Sequence, residues 1–298
     1  VRQKHISVCI CTFKRPELLG QLLKRLASQR TDGLFTYSVV VADNDAERSG
    51  QPVVQALSAT SPIEIVYCNE SQQNIAMARN KALENADGEF IAFIDDDEFP
   101  VDTWLLNLFK TCESQAVAGV LGPVKPSFET QPPAWVTKGK FFDRPDHPTG
   151  HQLSYSEART GNVLFRREIL KSVDTPFRTV FDTAGEDVDF FRRMMEKGYR
   201  FIWSSEAEVY EVVPANRVRR SYLLKRALLR GSNFPKHPTD RLKNITRSLI
   251  AVPCYTVALP VLALFGQHMF LKYLIKLLDH GSRLFAFAGV VSVTRRQT

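Results

Sequence analysis

The sequence predicts an α/β fold in which a largely parallel sheet is covered by helices and followed by a helical extension. Three observations predict it. Residues 6–124 alternate short β-rich runs with amphipathic stretches. Polar and acidic clusters follow several of the apolar runs immediately, as they do at the carboxyl ends of parallel strands that frame a crevice. The last third of the chain loses its acids and becomes basic and apolar.

In chain order, ISVCICTF, TYSVVVADN, IEIVYCN and EFIAFID read as strands, which predicts about four parallel strands in the amino-terminal part. Between them, PELLGQLLKRLASQ sets Leu18, Leu19, Leu22, Leu23 and Leu26 at helical spacing behind Pro16. IAMARNKALENADG does the same with Ala76, Ala78, Leu83 and Ala86, and Gly88 is read as its stop. Residues 122–160 are rich in proline and aromatics and lack periodicity, so they read as a long irregular excursion. TGNVLFRRE returns to a strand and a helix entry, GEDVDFFRRMMEKG is a helix ended by Gly198, and YRFIWSSEAEVYEVV holds two short strands.

The tail is different in kind. Residues 212–298 hold 15 basic and 2 acidic residues, a net +13, which leaves 24 basic against 30 acidic residues before them. VRRSYLLKRALLRG is a basic amphipathic helix, and residues 249–265 are 17 residues without a charge. That run is short for a membrane span and carries Pro253 and Pro260, so a full span, a re-entrant or interfacial segment and an ordinary helical cap all stay open. FLKYLIKLLDHGSRLFAFAGVVSV adds a second amphipathic stretch ending in an apolar run. The composition, 44% apolar, excludes global disorder. Five cysteines without a CxxC pair give neither a disulfide framework nor zinc spacing and suit a reducing compartment. The first seventeen residues have no signal-peptide pattern.

The strongest chemical signal is FIDDDEFP, where Asp95, Asp96 and Asp97 follow an apolar strand. Adjacent carboxylates repel, and at a crevice they suit a hard divalent cation that could hold a diphosphate; a solvated acidic turn is the alternative. Thr12 with Lys14 and Arg15, and Asp43 with Asn44 and Asp45, stand at the ends of the first two strands, where parallel pairing would gather them. No GxGxxG or GxxxxGK[ST] occurs, so phosphate charge would be met by metal and by side chains such as Arg79 beside Asn80. Glu186 and Asp187 open a helix, as caps or as acids turned to chemistry, with Asp187 a candidate general base if it faces the crevice.

Taken in order, VCICTFKRP, VVVADND, NIAMARNKALENADGEFIAFIDDDE, TGNVLFRR and GEDVDFF resemble glycosyltransferase family 2 over roughly residues 5–235. Each motif is modest alone; the ordered set is specific. VVADNDAE, GPV, PPAW, GED-DFF and VPANR look more narrowly like the glucosyltransferases of succinoglycan and related bacterial exopolysaccharide assembly.

The resemblance implies a GT-A fold, a Rossmann-like mixed sheet flanked by helices, over residues 1–235, with a helical membrane-associating tail over 236–298. It implies an inverting transfer of a sugar, glucose by the narrower likeness, from a UDP-sugar to a lipid-diphosphate-linked saccharide at the cytoplasmic face of a bacterial inner membrane. By that likeness Thr12, Asp43 and Arg79 would serve the donor nucleotide, and Lys14, Arg15, Asp45 and Asp96, from the same strand-end clusters, are expected to join them. Asp95 and Asp97 would hold Mn2+ or Mg2+, Asp187 would be the catalytic base, and Glu186 would either share that role or position the acceptor. One departure stands out: where many relatives have a histidine near the end of the late strand, VYE places Tyr210, so metal binding would be weaker or would rely on Glu211 and water. The QxxRW of processive synthases is absent, which suits one sugar per encounter. The basic tail keeps two rivals in view, a nucleic-acid-binding protein and an inactive membrane scaffold, although the tail carries no recognisable RNA motif and no nucleic acid is expected as a partner.

Overall fold

Strand β1 (Lys4–Thr12) is buried from Ile6 through Ile10, as expected of a central strand with helices on both faces. The computed structural model describes residues 3–181, 185–233 and 241–289. Helix α1 (Pro16–Leu26) starts on a proline and buries Leu19, Leu22, Leu23 and Leu26. It is followed by β2 (Phe35–Asp43), α2 (Gln51–Ser58), β3 (Ile65–Asn69), α3 (Ile75–Glu84) and β4 (Phe90–Phe93). The four strands pair in parallel in the order β3-β2-β1-β4, as the alternation predicts. Register puts Thr12 beside Asp43 and Asp43 beside Asn69, so the polar strand ends line one edge of the sheet.

Next come β5 (Glu98–Pro100), α4 (Trp104–Ser114), β6 (Gly119–Leu121), β7 (Val124–Phe128), α5 (Ala134–Gly139) and β8 (Val163–Arg166). A short 3-10 turn (Arg167–Ser172) leads to α6 (Glu186–Glu196), β9 (Phe201–Trp203) and β10 (Val209–Val213). Among the described residues the main sheet has seven strands, β3-β2-β1-β4-β8-β6-β9, with β8 antiparallel to both neighbours, so it is mixed. A smaller sheet has the order β5-β10-β7. The excursion expected to be irregular throughout 122–160 thus carries a strand and a short helix; its prolines conceal both, because Pro126 lies within β7 and Pro133 caps α5.

Two core layers cover the sheet. One gathers α1, α2 and α4 around Ile6, Val8, Ile10 and Trp104; the other gathers α3 and α6 around Phe93, Phe165, Phe177, Phe190 and Phe191. Gly88 does not stop α3, which ends at Glu84. It is needed because a Cβ there would stand 2.5 Å from the Ser7 amide nitrogen on β1.

The chain divides into two compact units, one running to Lys125 and resuming over Arg144–Val212, the other comprising Pro126–Asp143 and the chain from Val213. Within the second unit, α7 (Arg220–Asn233) and α8 (Arg241–Leu264) both pack on α9 (Gln267–Phe287). Pro253 and Pro260 do not break α8, which continues through both. Ser248 bonds His280 at 2.9 Å and Tyr255 meets Tyr273, while Ile250, Val257, Val261 and Leu264 stay exposed. Asn244–Leu264 is 21 residues long with mean hydropathy 1.6, enough by length and composition to cross a membrane. The division expected at 235/236 and the end of the last apolar run lie outside the described residues.

Candidate active site

The ends of β1 and β2 are organised by their own polar groups. Buried Asp43 accepts the Asp45 amide at 3.1 Å on one oxygen, and the Gly50 amide at 2.8 Å and the Tyr67 hydroxyl at 3.0 Å on the other. Burial, with this carboxylate beside it, pushes the Tyr67 phenol well up. Asp45 lies 3.9 Å from the half-exposed Lys14 ammonium and leaves its Oδ2 without a hydrogen bond. Thr12 donates its hydroxyl to Asp96 at 2.9 Å, joining the end of β1 to the acidic turn after β4.

Arg15, just before α1, spans two of the three aspartates: Nη1 lies 2.8 Å from Asp96 and 3.0 Å from Asp97. Burial raises the Asp96 carboxyl to about 6, against the pull of Arg15. Asp95 keeps nearly half its side chain exposed, with Arg79 3.9 Å away. Behind it, Glu98 is fully buried at the start of β5, and that burial, with Asp95 adjacent, pushes its carboxyl well above the usual range. Arg144 approaches Glu98 at 3.8 Å and pairs with Glu211 on β10. Tyr210 points to the other face of the same strand, where its hydroxyl donates to Glu208 at 2.7 Å. Position 210 is therefore turned from the acids that Glu211 joins.

These residues fit a hard divalent cation. Glu98 Oε1 is buried without a hydrogen bond, and Gly161 borders it with no side chain: a Cβ there would stand 2.7 Å from Glu98 Oε1 and 3.1 Å from Asp95 Oδ2. Oxygens from Asp95 and Asp97, with Glu98 behind them, form a set of the kind Mg2+ and Mn2+ take.

Helix α6 separates acids that the sequence leaves equivalent. Gly185 precedes it at φ +103°, a left-handed conformation that suits glycine. Glu186 is buried against Arg79, whose guanidinium also lies over the Phe177 ring at 5.7 Å. Asp189 is buried between Arg193 at 2.7 Å and Arg178 at 3.5 Å. Half-buried Asp187 makes no ion pair among the described residues, and its Oδ1 accepts the Val188 amide at 2.7 Å. Asn80 is structural: its side chain exchanges hydrogen bonds with the Phe177 backbone at 2.7 and 3.0 Å.

The structure thus brings Thr12, Arg15 and Asp95–Asp97 into one linked group, and Arg79 ties Asp95 to Glu186 beside Asp187. Glu98, Arg144 and Gly161 belong to the group without having been singled out in the sequence. Glu98 carried a local signal, as the fourth acid of DDDE; Arg144 and Gly161 carried none, because only folding brings them there. A cavity of about 790 Å3 lined by Lys4, Glu89, Phe90 and Arg167 lies at the opposite edge of the sheet, where β1 and β4 begin, and is no part of this site.

The Glycosyl transferase family 2 model matches residues 7–174. The succinoglycan biosynthesis protein ExoM of Rhizobium meliloti (strain 1021) is 37% identical over 231 residues, 76% of this chain and 73% of that protein. Among solved structures, the mannosyltransferase PcManGT from Pyrobaculum calidifontis in complex with GDP-Man and Mn2+ superposes with TM-score 0.63 at 20% identity, over 97% of this chain and 87% of the other. S. aureus TarS 1-349 in complex with UDP gives 0.53 at 17%, over 98% and 94%. The fold is the GT-A glycosyltransferase fold. With its motifs in order along one sheet edge and its acids gathered there, the chain belongs to glycosyl transferase family 2.

Proposed function

We propose that this glycosyltransferase transfers glucose, with inversion, from UDP-glucose to a lipid-diphosphate-linked oligosaccharide in bacterial exopolysaccharide or surface-polysaccharide assembly. The observation that carries the mechanism is the division of labour on α6: Glu186 and Asp189 are paired with arginines, and Asp187 makes no ion pair among the described residues. Asp187 takes the proton of the acceptor hydroxyl as that oxygen attacks the anomeric carbon from the side opposite the leaving diphosphate. Arg79, held rigid by Glu186 and Phe177, keeps positive charge at the diphosphate side. Thr12, Lys14, Asp43 and Asp45 shape the nucleotide end, and Arg15 holds Asp96 and Asp97 in place. Asp95 and Asp97 would hold a Mn2+ or Mg2+, which would supply positive charge against the leaving diphosphate.

The polysaccharide setting is supported by the name of ExoM, and a uridine-nucleotide donor by the UDP in TarS. A membrane site of action is supported by the exposed apolar residues of α8 and by the cations of α7, each worth about 1 kcal/mol at an anionic surface. The test is incubation of the full chain with UDP-glucose, other UDP-sugars and GDP-mannose, with detergent-extracted lipid acceptors, with and without metal. Acceptor heavier by one hexose, from UDP-glucose and with metal, is expected. Product from GDP-mannose alone would overturn the donor, and equal product in chelator would overturn the metal. Sedimentation with anionic but not neutral vesicles is expected; none with either would remove the membrane.

A further inference from the structure

Away from the acidic group, one cluster carries metal-ligand chemistry that transfer does not use. His147, His151 and Glu157 each present one ligand atom, and these atoms lie within 4.8 Å of one another. The imidazoles are stacked, 4.2 Å between centroids and 11° between planes. His147 Nε2 comes within 3.1 Å of Glu157 Oε1, yet it is buried and makes no hydrogen bond. A nitrogen facing a carboxylate without being aligned to donate to it is poorly served by an ion pair and well served by a cation between the two.

The surroundings are arranged as a ligand support. Ser154 donates its amide at 3.0 Å and its hydroxyl at 2.5 Å to Glu157 Oε2, which fixes the carboxylate and leaves Oε1 toward the histidine. Asp146 accepts the His147 amide and the Trp203 indole N–H, each at 2.9 Å, and Trp203 lies edge-on to the His147 ring at 5.4 Å. The loop is also tied to β9 through its backbone, Gly150 N to Trp203 O at 2.8 Å and Trp203 N to His151 O at 2.9 Å. A held carboxylate and a ring fixed by packing are part of what a transition-metal site needs around its ligands.

We propose that His147, His151 and Glu157 bind a borderline divalent cation, Zn2+ first, as a structural clip separate from the donor's hard cation. Two imidazoles and one carboxylate select zinc-like ions over Mg2+ and Mn2+, whereas the all-oxygen acids at the end of β4 prefer the hard ions. The clip pins the loop that begins at Arg144, the residue that reaches Glu98 and Glu211. Its effect on transfer is thus to position Arg144, with no part in the reaction itself.

The experiment uses the untagged full chain, dialysed against chelator and then kept in excess Mg2+ so that the acidic group is occupied. Co2+ is titrated and followed by its visible d–d absorption, and Zn2+ by calorimetry. One equivalent of Co2+ with the intense bands of low coordination is expected, displaced by Zn2+ and lost in His147→Ala/His151→Ala. Ser154→Ala, which keeps all three ligands, is expected to bind roughly 10-fold more weakly. If the double variant is poorly folded, protection decides: Zn2+ should slow proteolysis within 144–157 in the unaltered chain. Absent bands, bands that survive in the double variant, or Zn2+ without effect on cleavage would each overturn the site.

Discussion

Two carboxylates of the candidate active site, Asp43 at the end of β2 and Glu98 after β4, differ in how well they are satisfied. At the end of β2, Asp43 accepts three hydrogen bonds from its own chain and is rigid before any ligand arrives. At the end of β4, Asp95 is half exposed, Glu98 keeps a buried oxygen without a hydrogen bond, and the counter-charges come from arginines at the margin. A satisfied carboxylate shapes a loop; an unsatisfied one is stable only with a cation or a proton. The difference assigns the first region to shape and the second to charge, and substitutions should separate the two.

The largest effect is expected where charge does chemistry. Asp187→Asn should lower turnover by roughly 10²–10⁴ while leaving donor affinity within about threefold, since an amide keeps the shape and cannot take the acceptor's proton. Turnover and UDP-sugar affinity measured on the same preparation check this. Near-normal turnover would return the role to Glu186, in spite of its commitment to Arg79.

Next is Asp97→Ala, expected to weaken metal-dependent UDP binding by about 10–100-fold, the loss of one charged contact worth roughly 1.5–3 kcal/mol. Calorimetry with and without Mn2+ is the measurement. An equal loss in chelator would mean that Asp97 acts through Arg15 and not through a cation. Asp43→Asn should instead weaken UDP binding to the same degree in metal and in chelator, because Asp43 holds a loop.

The same contrast explains what could be read in the sequence. The strands were legible because β1, β2 and β4 are buried on both faces and read as continuous apolar runs, and their parallel order follows from the helices between them. The acidic turn was legible because three aspartates in a row have no use in a core. Glu98 differs from them only by being fully buried, and Arg144 meets it from 46 positions away in sequence across a proline-rich stretch, so neither role could be assigned before folding. Glu186 and Asp187 are neighbours in sequence and opposites in structure, because one arginine, Arg79, reaches only the first. His147 and His151 were hidden by Pro148 between them, which removes the helical spacing that would have drawn attention to the pair.

A smaller effect is expected from pH. Asp96 titrates near 6 in the fold and near 3.8 when unperturbed, so between those values the folded chain holds a proton that the unfolded chain has released. The contribution of Asp96 to stability should therefore decline as pH rises from about 4 to about 6 and level off above, and Glu98, also raised, acts in the same direction. Asp96→Asn should reduce that slope in denaturation midpoints taken from pH 4 to 7. Cation binding runs the other way, because protonated acids cannot hold a metal, so metal-dependent UDP affinity should rise with pH. An unaltered slope in Asp96→Asn would mean that Arg15 keeps Asp96 ionised throughout.

The smallest effect is expected at Tyr210, the position that most invites substitution on sequence grounds. A histidine at this position, which the family resemblance would lead one to expect, would strengthen metal binding if the side chain faced the acids. In this fold it does not: β10 alternates, Glu211 turns toward Arg144 and Glu98, and Tyr210 turns to Glu208 and the neighbouring Lys125. A histidine at 210 would need the strand to slip by one residue, which would also turn Glu211 away and break its pair with Arg144. Tyr210→His should thus leave the Mn2+ concentration for half-maximal UDP binding within about twofold, since substitutions away from buried contacts usually cost less than about 0.5 kcal/mol. Glu211→Gln should raise it more, because it releases Arg144 to compete with the cation for Glu98. A tenfold tighter Mn2+ requirement in Tyr210→His would place that side chain among the ligands and would mean that β10 adopts the other register when the donor is bound.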